Sequence, residues 1–415
     1  MATDARTDTP IADEEVVHSA RQAERLVAKL AELAPEIEAE AEGNEQAGKL
    51  SDRTVDLIRE AELPRMLMPL EMGGLGMFLR DALKVVDKLG QIDASAGWIG
   101  GNWSAAGMFL SYFDDDTVKE LLGSGQIPYF GASSAPTGQA VPVEGGYRFS
   151  GTYQYGSGDL HASWVFCPGF EIGPDGKPVP GPGGMPAMKS YVVDAADIEF
   201  RGNWDTLGLR GTGSVDFAVT DAFVPAERVL DLLAGPPARG RRQLSGGILS
   251  ILPFLHTGFA LGAARRVLDE LTAYAKRPSS RGTTLAESQV FRLEFARHEV
   301  AVRSARAFVY ESWSQLHERL VAGEPMTRRD YTLLRAALIH MHDVLRAAAT
   351  FAFTQASGVS LRAGVLQRWI RDSLSGCQHL IVAESGYTDV AWELMGAPDN
   401  LVWGPFSLVP LPEMP

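Results

Sequence analysis

Tyr147-Arg-Phe-Ser-Gly-Thr-Tyr-Gln-Tyr155 is rich in aromatic and β-branched residues, and turn-forming residues bound it on both sides. It reads as a β-strand. Residues 164–170, 189–193 and 215–224 read the same way, separated by turn residues. The Pro/Gly-dense stretch 173–186 reads as an exposed hairpin loop. A β-barrel-like domain of residues 126–234 is therefore expected. Upstream of it, residues 1–125 form an N-terminal helical domain, in which residues 12–42 place Val16, Val17, Ala20, Leu26, Leu30 and Leu33 at helical spacing. Ser51 reads as the N-cap of a helix reaching Glu60, and further helices fit 79–89, 94–108 and 115–122. Downstream, the linker 234–243 leads into four helical patterns, 247–275, 285–321, 327–357 and 366–395, read as a four-helix bundle within residues 235–415. The fold class is α+β.

Composition narrows the function classes. The chain has 415 residues, with 38 Lys and Arg against 52 Asp and Glu, for a formal net charge of −14. That balance disfavours a nucleic-acid footprint, which needs a basic face, and repels anionic membranes. The apolar run 246–255 falls short of the roughly 18–20 residues that span a bilayer. The acidic first 15 residues hold no apolar signal core. Cys167 and Cys377 have no metal-type spacing, and a cytoplasmic setting is expected. His340 and His342 sit two apart on a helix and point to different faces, so no metal site is expected.

Five blocks carry a family resemblance. They are Met68-Pro-Leu-Glu-Met-Gly-Gly-Leu-Gly76 with Gln91-Ile-Asp-Ala-Ser95; residues 129–138; Gly151-Thr-Tyr-Gln-Tyr-Gly-Ser-Gly158; Trp204-Asp-Thr-Leu-Gly-Leu-Arg-Gly-Thr-Gly-Ser214; and Tyr274-Ala275 with Gly282 and Gln289. In this order they resemble the acyl-CoA dehydrogenase superfamily of flavoproteins. Many of its dehydrogenases carry a Glu about eight residues after an Arg-Asp pair, where it removes the α-proton of a thioester. Here Arg371-Asp372 is followed by Ser-Leu-Ser-Gly-Cys-Gln-His379-Leu380, with no carboxylate at that position, and Glu384 lies further on. The Arg-Asp…His spacing, with Ser157, Gly158, His161 and Trp164, is similar to the flavin-dependent monooxygenase branch.

The resemblance implies the oxygenase component of a two-component system. A separate NAD(P)H-dependent flavin reductase supplies reduced FMN, or FAD, and O2 reacts through a C4a-hydroperoxyflavin to oxygenate a small, aromatic or natural-product-type substrate. It implies Ser157 at flavin N5 and His379 near substrate and flavin, both catalytic. Tyr129, Ser134, Tyr155, Arg210 and Thr212 are implied as further cofactor contacts. Asn102, Trp103 and His161 are implied, with His379, as the substrate wall. Arg277 and Arg281 lie at variant positions relative to the dehydrogenases' pyrophosphate-binding Arg, which favours FMN over FAD. A homotetramer is implied. A Ser hydroxyl can hold N5 by a hydrogen bond, and an imidazole with pKa near neutrality suits deprotonation of a phenol. The alternatives are an FAD-dependent acyl-CoA dehydrogenase or oxidase, and a scaffold that lost its flavin.

Overall fold

The computed structural model describes residues 14–181, 186–231, 237–240, 242–278 and 282–411. Arg281 and Arg241 lie outside them, as do parts of the expected hairpin loop and linker. The N-terminal region holds α1 (Glu14–Ala47), α2 (Asp52–Glu60), α3 (Leu79–Ile92), α4 (Ala94–Met108) and α5 (Asp115–Leu122). Ser51 caps α2 as expected, its hydroxyl accepting from Thr54 N–H.

The β region runs β1 (Phe130–Ala132), β2 (Gly138–Val143), β3 (Gly146–Tyr153), β4 (Trp164–Glu171), β5 (Met188–Asp194), β6 (Ile198–Phe200), β7 (Phe217–Pro225) and β8 (Val229–Leu230). These form one mixed sheet in the order β6-β7-β3-β2-β4-β5-β8, with β1 also against β4. Both β1 and β2 pair in parallel with β4, at its two ends (Phe130 opposite Trp164, Gly138 opposite Gly169). The barrel-like domain is open: among the described residues, β6 pairs only with β7 and β8 only with β5.

The C-terminal region is helical: α6 (Gly247–Ala275), α7 (Gln289–Val321), α8 (Arg328–Gln355), α9 (Val365–Gly376) and α10 (Gly386–Leu394). By length and hydropathy α6 could cross a membrane, but most of it is buried inside the molecule. That burial accounts for its apolar surface on all sides. It packs on α3 at backbone distance, and α3 meets α4 as closely. A Cβ added at Gly262 would lie 2.5 Å from Asp87 O, and one at Gly97 2.6 Å from Gly90 Cα. Neither neighbour is a flexible side chain that could yield. Gly262→Ala is expected to cost about 2–3 kcal/mol of stability. Gly43→Ala in α1, where nothing lies within 4 Å, is expected to gain up to about 1 kcal/mol. Urea midpoints of the two variants check both signs.

The fourth bundle helix, expected as one run over 366–395, is broken in two. α9 stops at Gly376, where a Cβ would sit 2.3 Å from Phe259 Cε1. The chain then turns extended at His379 (φ −66°, ψ 139°), makes a short 3-10 turn Leu380–Val382, and re-enters a helix at Gly386. Two local bonds stabilise the break. Ile381 N–H donates to His379 Nδ1 at 3.2 Å, and Arg335 donates to the Ile381 carbonyl. A C-terminal hairpin, Leu401–Trp403 with Leu408–Pro410, was not anticipated; its three-residue strands are too short to show a period.

Candidate active site

Ser157 follows β3 in a tight turn, and His379 stands in the break between α9 and α10. Trp98 of α4 joins them. Its indole N–H donates to Ser157 Oγ at 3.2 Å, and its ring meets His379 edge-on with centroids 6.0 Å apart. His256 of α6 lies against both, 4.0 Å from the His379 ring and 4.9 Å from Trp98. Phe259, one turn along α6, closes on Trp98 at 5.1 Å.

The histidines are held neutral. Burial, helped by the nearby Arg335 cation, pushes His379 down to about 4. Burial, then His379, lowers His256 well below its ordinary value. His342 behind them is also pushed down to about 4 by burial, with Nδ1 bonded to the Leu338 carbonyl. In neutral His379 the Ile381 N–H occupies Nδ1, so the ring hydrogen sits on Nε2. His379 therefore faces its surroundings as a donor. His256 Nδ1 is buried without a partner among the described residues.

A string of hydroxyls leads away from Ser157. Ser157 Oγ lies 2.8 Å from Ser214 Oγ, which lies 2.8 Å from Thr212 Oγ1, which donates to the Leu209 carbonyl at 2.7 Å. Leu209 has a left-handed backbone (φ 53°), and its N–H donates to Asp372 of α9 at 2.6 Å. The sheet side of the site is thereby tied to the bundle. The approach is close: a Cβ at Gly208 would lie 2.3 Å from Arg371 O. Burial raises Asp372 to about 7.

Of the other expected contacts, Thr212 is buried in the hydroxyl string. Tyr155 is exposed at φ 61°, its ring edge-on to Trp204 at 6.1 Å. Ser134 is exposed in the loop after β1, and Arg210 pairs with Asp205 at 3.0 Å.

Four more of the expected residues make contacts of their own. Tyr129 is buried, with its hydroxyl on the Val55 carbonyl at 2.7 Å and its ring stacked on Trp103, so its side chain serves packing. Trp103 is buried too and braces the Ser157 turn from behind, donating to Gly158 O at 3.2 Å. His161 feels the charges of Lys49 and Asp52 at the α1–α2 junction and meets the Trp103 ring edge-on at 6.1 Å. Asn102 bonds to the Trp98 carbonyl of its own helix. The α4 residue that reaches the site is thus Trp98, four residues before Asn102. His256 was also missed; its only sequence signal is a polar residue inside a long apolar helix.

The arrangement fits a flavin. The Ser157 hydroxyl is half-buried, and exposed apolar side chains stand on each segment around it: Tyr155 at 67%, Leu207 at 62% and Leu380 at 65% exposure. A half-buried hydroxyl with exposed apolar side chains on the segments that carry the site suits a planar ring with one polar edge. The carboxylates near His379 in sequence are committed elsewhere: Asp372 holds Leu209 N–H and Glu384 is exposed.

Comparison with known proteins agrees. Residues 254–384 match the acyl-CoA dehydrogenase C-terminal domain family. The chain is 28% identical to the pigment production hydroxylase of Rhodococcus erythropolis, across 84% of this chain and 90% of that one. It is 32% identical to the flavin-dependent monooxygenase oxygenase subunit HsaA of Mycobacterium tuberculosis, across 52% of each. The structure of XiaF from Streptomyces sp., solved with FADH2 and glycerol, superposes with a TM-score of 0.83 at 22% identity, covering 92% of this chain and 98% of that one. The chain has the acyl-CoA dehydrogenase-like fold, and it is similar to hydroxylases and to oxygenase subunits of flavin-dependent monooxygenases.

Proposed function

We propose that this chain is the oxygenase component of a two-component flavin-dependent monooxygenase acting on an aromatic substrate. The observation that carries the reading is the meeting of Ser157 and His379 across Trp98. A reduced flavin and O2 supply the oxygenating equivalent when bound. Ser157 holds the flavin at N5. His379 presents its Nε2–H to a substrate oxygen or nitrogen, orienting the ring and stabilising negative charge as it develops there. Trp98, backed by His256 and Phe259, gives that substrate an aromatic wall and keeps water out. Neutral and with Nδ1 occupied, His379 is suited to the anchoring role rather than to acid–base transfer, the two roles its position allows.

FMN is favoured, with FAD the other form, and a transient NAD(P)H-dependent reductase is the source of the reduced flavin. Cys167 and Cys377 are free and buried, which supports a reducing, cytoplasmic setting. Val290, Leu293 and Val300 on α7 are exposed apolar residues, which supports self-association as a tetramer.

The test is anaerobic mixing with reduced FMN, followed by oxygenated buffer and stopped-flow absorbance. The protein is expected to delay the return of oxidised flavin. Ser157→Ala is expected to shorten that delay about tenfold, the equivalent of one lost hydrogen bond. Reoxidation at the rate of free FMN, together with a tightly held FAD reducible by an acyl thioester, would replace this reading with a dehydrogenase.

A further inference from the structure

The direction of every hydrogen bond in the Ser157 string follows from its two ends. The Leu209 carbonyl can only accept, and the Trp98 indole can only donate. Thr212 has one hydroxyl proton, and it goes to Leu209 O at 2.7 Å. Its oxygen must then accept from Ser214 at 2.8 Å. With that proton committed, Ser214 must accept from Ser157 at 2.8 Å. Ser157 in turn accepts the Trp98 N–H. The competing acceptor for Ser157, the Tyr155 carbonyl, is distant at 3.5 Å. Thr212 and Ser214 are buried. The Leu209 carbonyl also accepts from Trp204 Nε1 and Thr212 N–H, so it is the 2.7 Å approach of Thr212 Oγ1 that fixes the direction: a reversed string would set two oxygen lone pairs against each other at that distance. Leu209 itself is fixed by Asp372.

Ser157 has therefore spent its proton inward. Its remaining lone pair is what a ligand meets. Resting on the reading that puts Ser157 against flavin N5, we propose that Thr212 and Ser214 are positioning residues that make Ser157 a hydrogen-bond acceptor, so that the site selects reduced over oxidised flavin. N5 carries a hydrogen in the reduced ring and donates it to Ser157. In the oxidised ring N5 is a bare lone pair facing another, and the contact repels. The selectivity suits a protein that must take its flavin reduced from a partner and release it oxidised.

The test compares dissociation constants for oxidised and reduced FMN, the latter measured anaerobically, together with the midpoint potential of the bound flavin. Wild type is expected to hold reduced FMN at least about tenfold more tightly, the effect of one hydrogen bond. Tenfold corresponds to about 30 mV on a two-electron couple. In Thr212→Val the Ser214 proton loses its acceptor and turns toward Ser157, which then donates outward, so the preference is expected to fall to about unity or invert. Ser214→Ala is expected to act alike, while Thr212→Ser, which rebuilds the string, keeps the wild-type ratio. If Thr212→Val fails to fold, Ser214→Ala and Thr212→Ser still decide. A wild-type ratio retained in both disrupting variants overturns the inference alone. Binding of neither flavin form by wild type overturns the flavin reading and this inference with it.

Discussion

His379→Ala is expected to lower substrate oxygenation by about two orders of magnitude or more, the usual range for a positioned proton-bearing side chain, while reduced flavin is still consumed and peroxide released. The variant removes the Nε2 donor and also the acceptor of Ile381 N–H, so the turn between α9 and α10 loosens. His379→Asn separates the two effects. Asn caps such turns well; its oxygen can take the Ile381 N–H while its amide donates outward. It is expected to retain activity within about tenfold of wild type. The pH profile is a second check. With its folded pKa at about 4, His379 stays neutral above about pH 5, so the rate is expected to be flat in that group upward. The measurement is product formed per reduced flavin, with peroxide counted separately. A rate titrating with a midpoint near the ordinary histidine value, and losing that titration in His379→Asn, would show the ring working as a base.

The second large effect concerns stability and pH. Asp159 lies just behind the Ser157 turn, fully buried, and neither carboxyl oxygen has a partner among the described residues. It is wedged between two glycines: a Cβ would lie 2.1 Å from Oδ1 at Gly131 and 2.7 Å from Oδ2 at Gly156. Burial pushes it up to about 8. A carboxyl raised on folding is protonated in the native chain while the unfolded chain has already released its proton. Its contribution is therefore intact below the unfolded value near 4 and is lost as pH rises to about 8. Between about pH 5.5 and about pH 8.5 the loss amounts to about 3 kcal/mol. Asp159→Asn keeps the shape and cannot ionise. Relative to wild type it is expected to gain that amount on going from the lower to the higher pH, read from urea midpoints. The depressed histidines His256, His342 and His379 work with the opposite sign: the unfolded chain binds protons they refuse, so their contribution is lost as pH falls below about 6.5. The comparison of variant with wild type cancels them. An unchanged difference across the two pH values would mean Asp159 is ionised and partnered in solution.

Much of the fold was legible because its signals are local. The Ser51 cap, the strand before Tyr155, the period of α3 and the apolar runs of α4 and α6 depend on neighbours within a few residues. The break after Gly376 was not legible, because Phe259 of α6 and Arg335 of α8 enforce it from other elements. The site divided the same way. Ser157 and His379 came from family motifs. The place of Trp98 beside Ser157 was not legible, because the helical phase of α4 has no anchor until β3 and α6 are placed around it. His256 could not be connected to His379 at all, since their adjacency exists only after α6 and the broken helix pack together.

The Asp372–Leu209 bond sets a rule for recombining such proteins. One carboxylate from the last helices fixes the backbone on which the sheet's hydroxyl string ends. A chimera that exchanges the bundle for a relative's, to borrow its substrate wall, inherits a sound flavin floor only if the donor supplies an equivalent carboxylate at that height. Residues 204–214 and α9 are in this sense one inheritable unit split across the chain, and a crossover placed between them would sever it without disturbing either domain's own core.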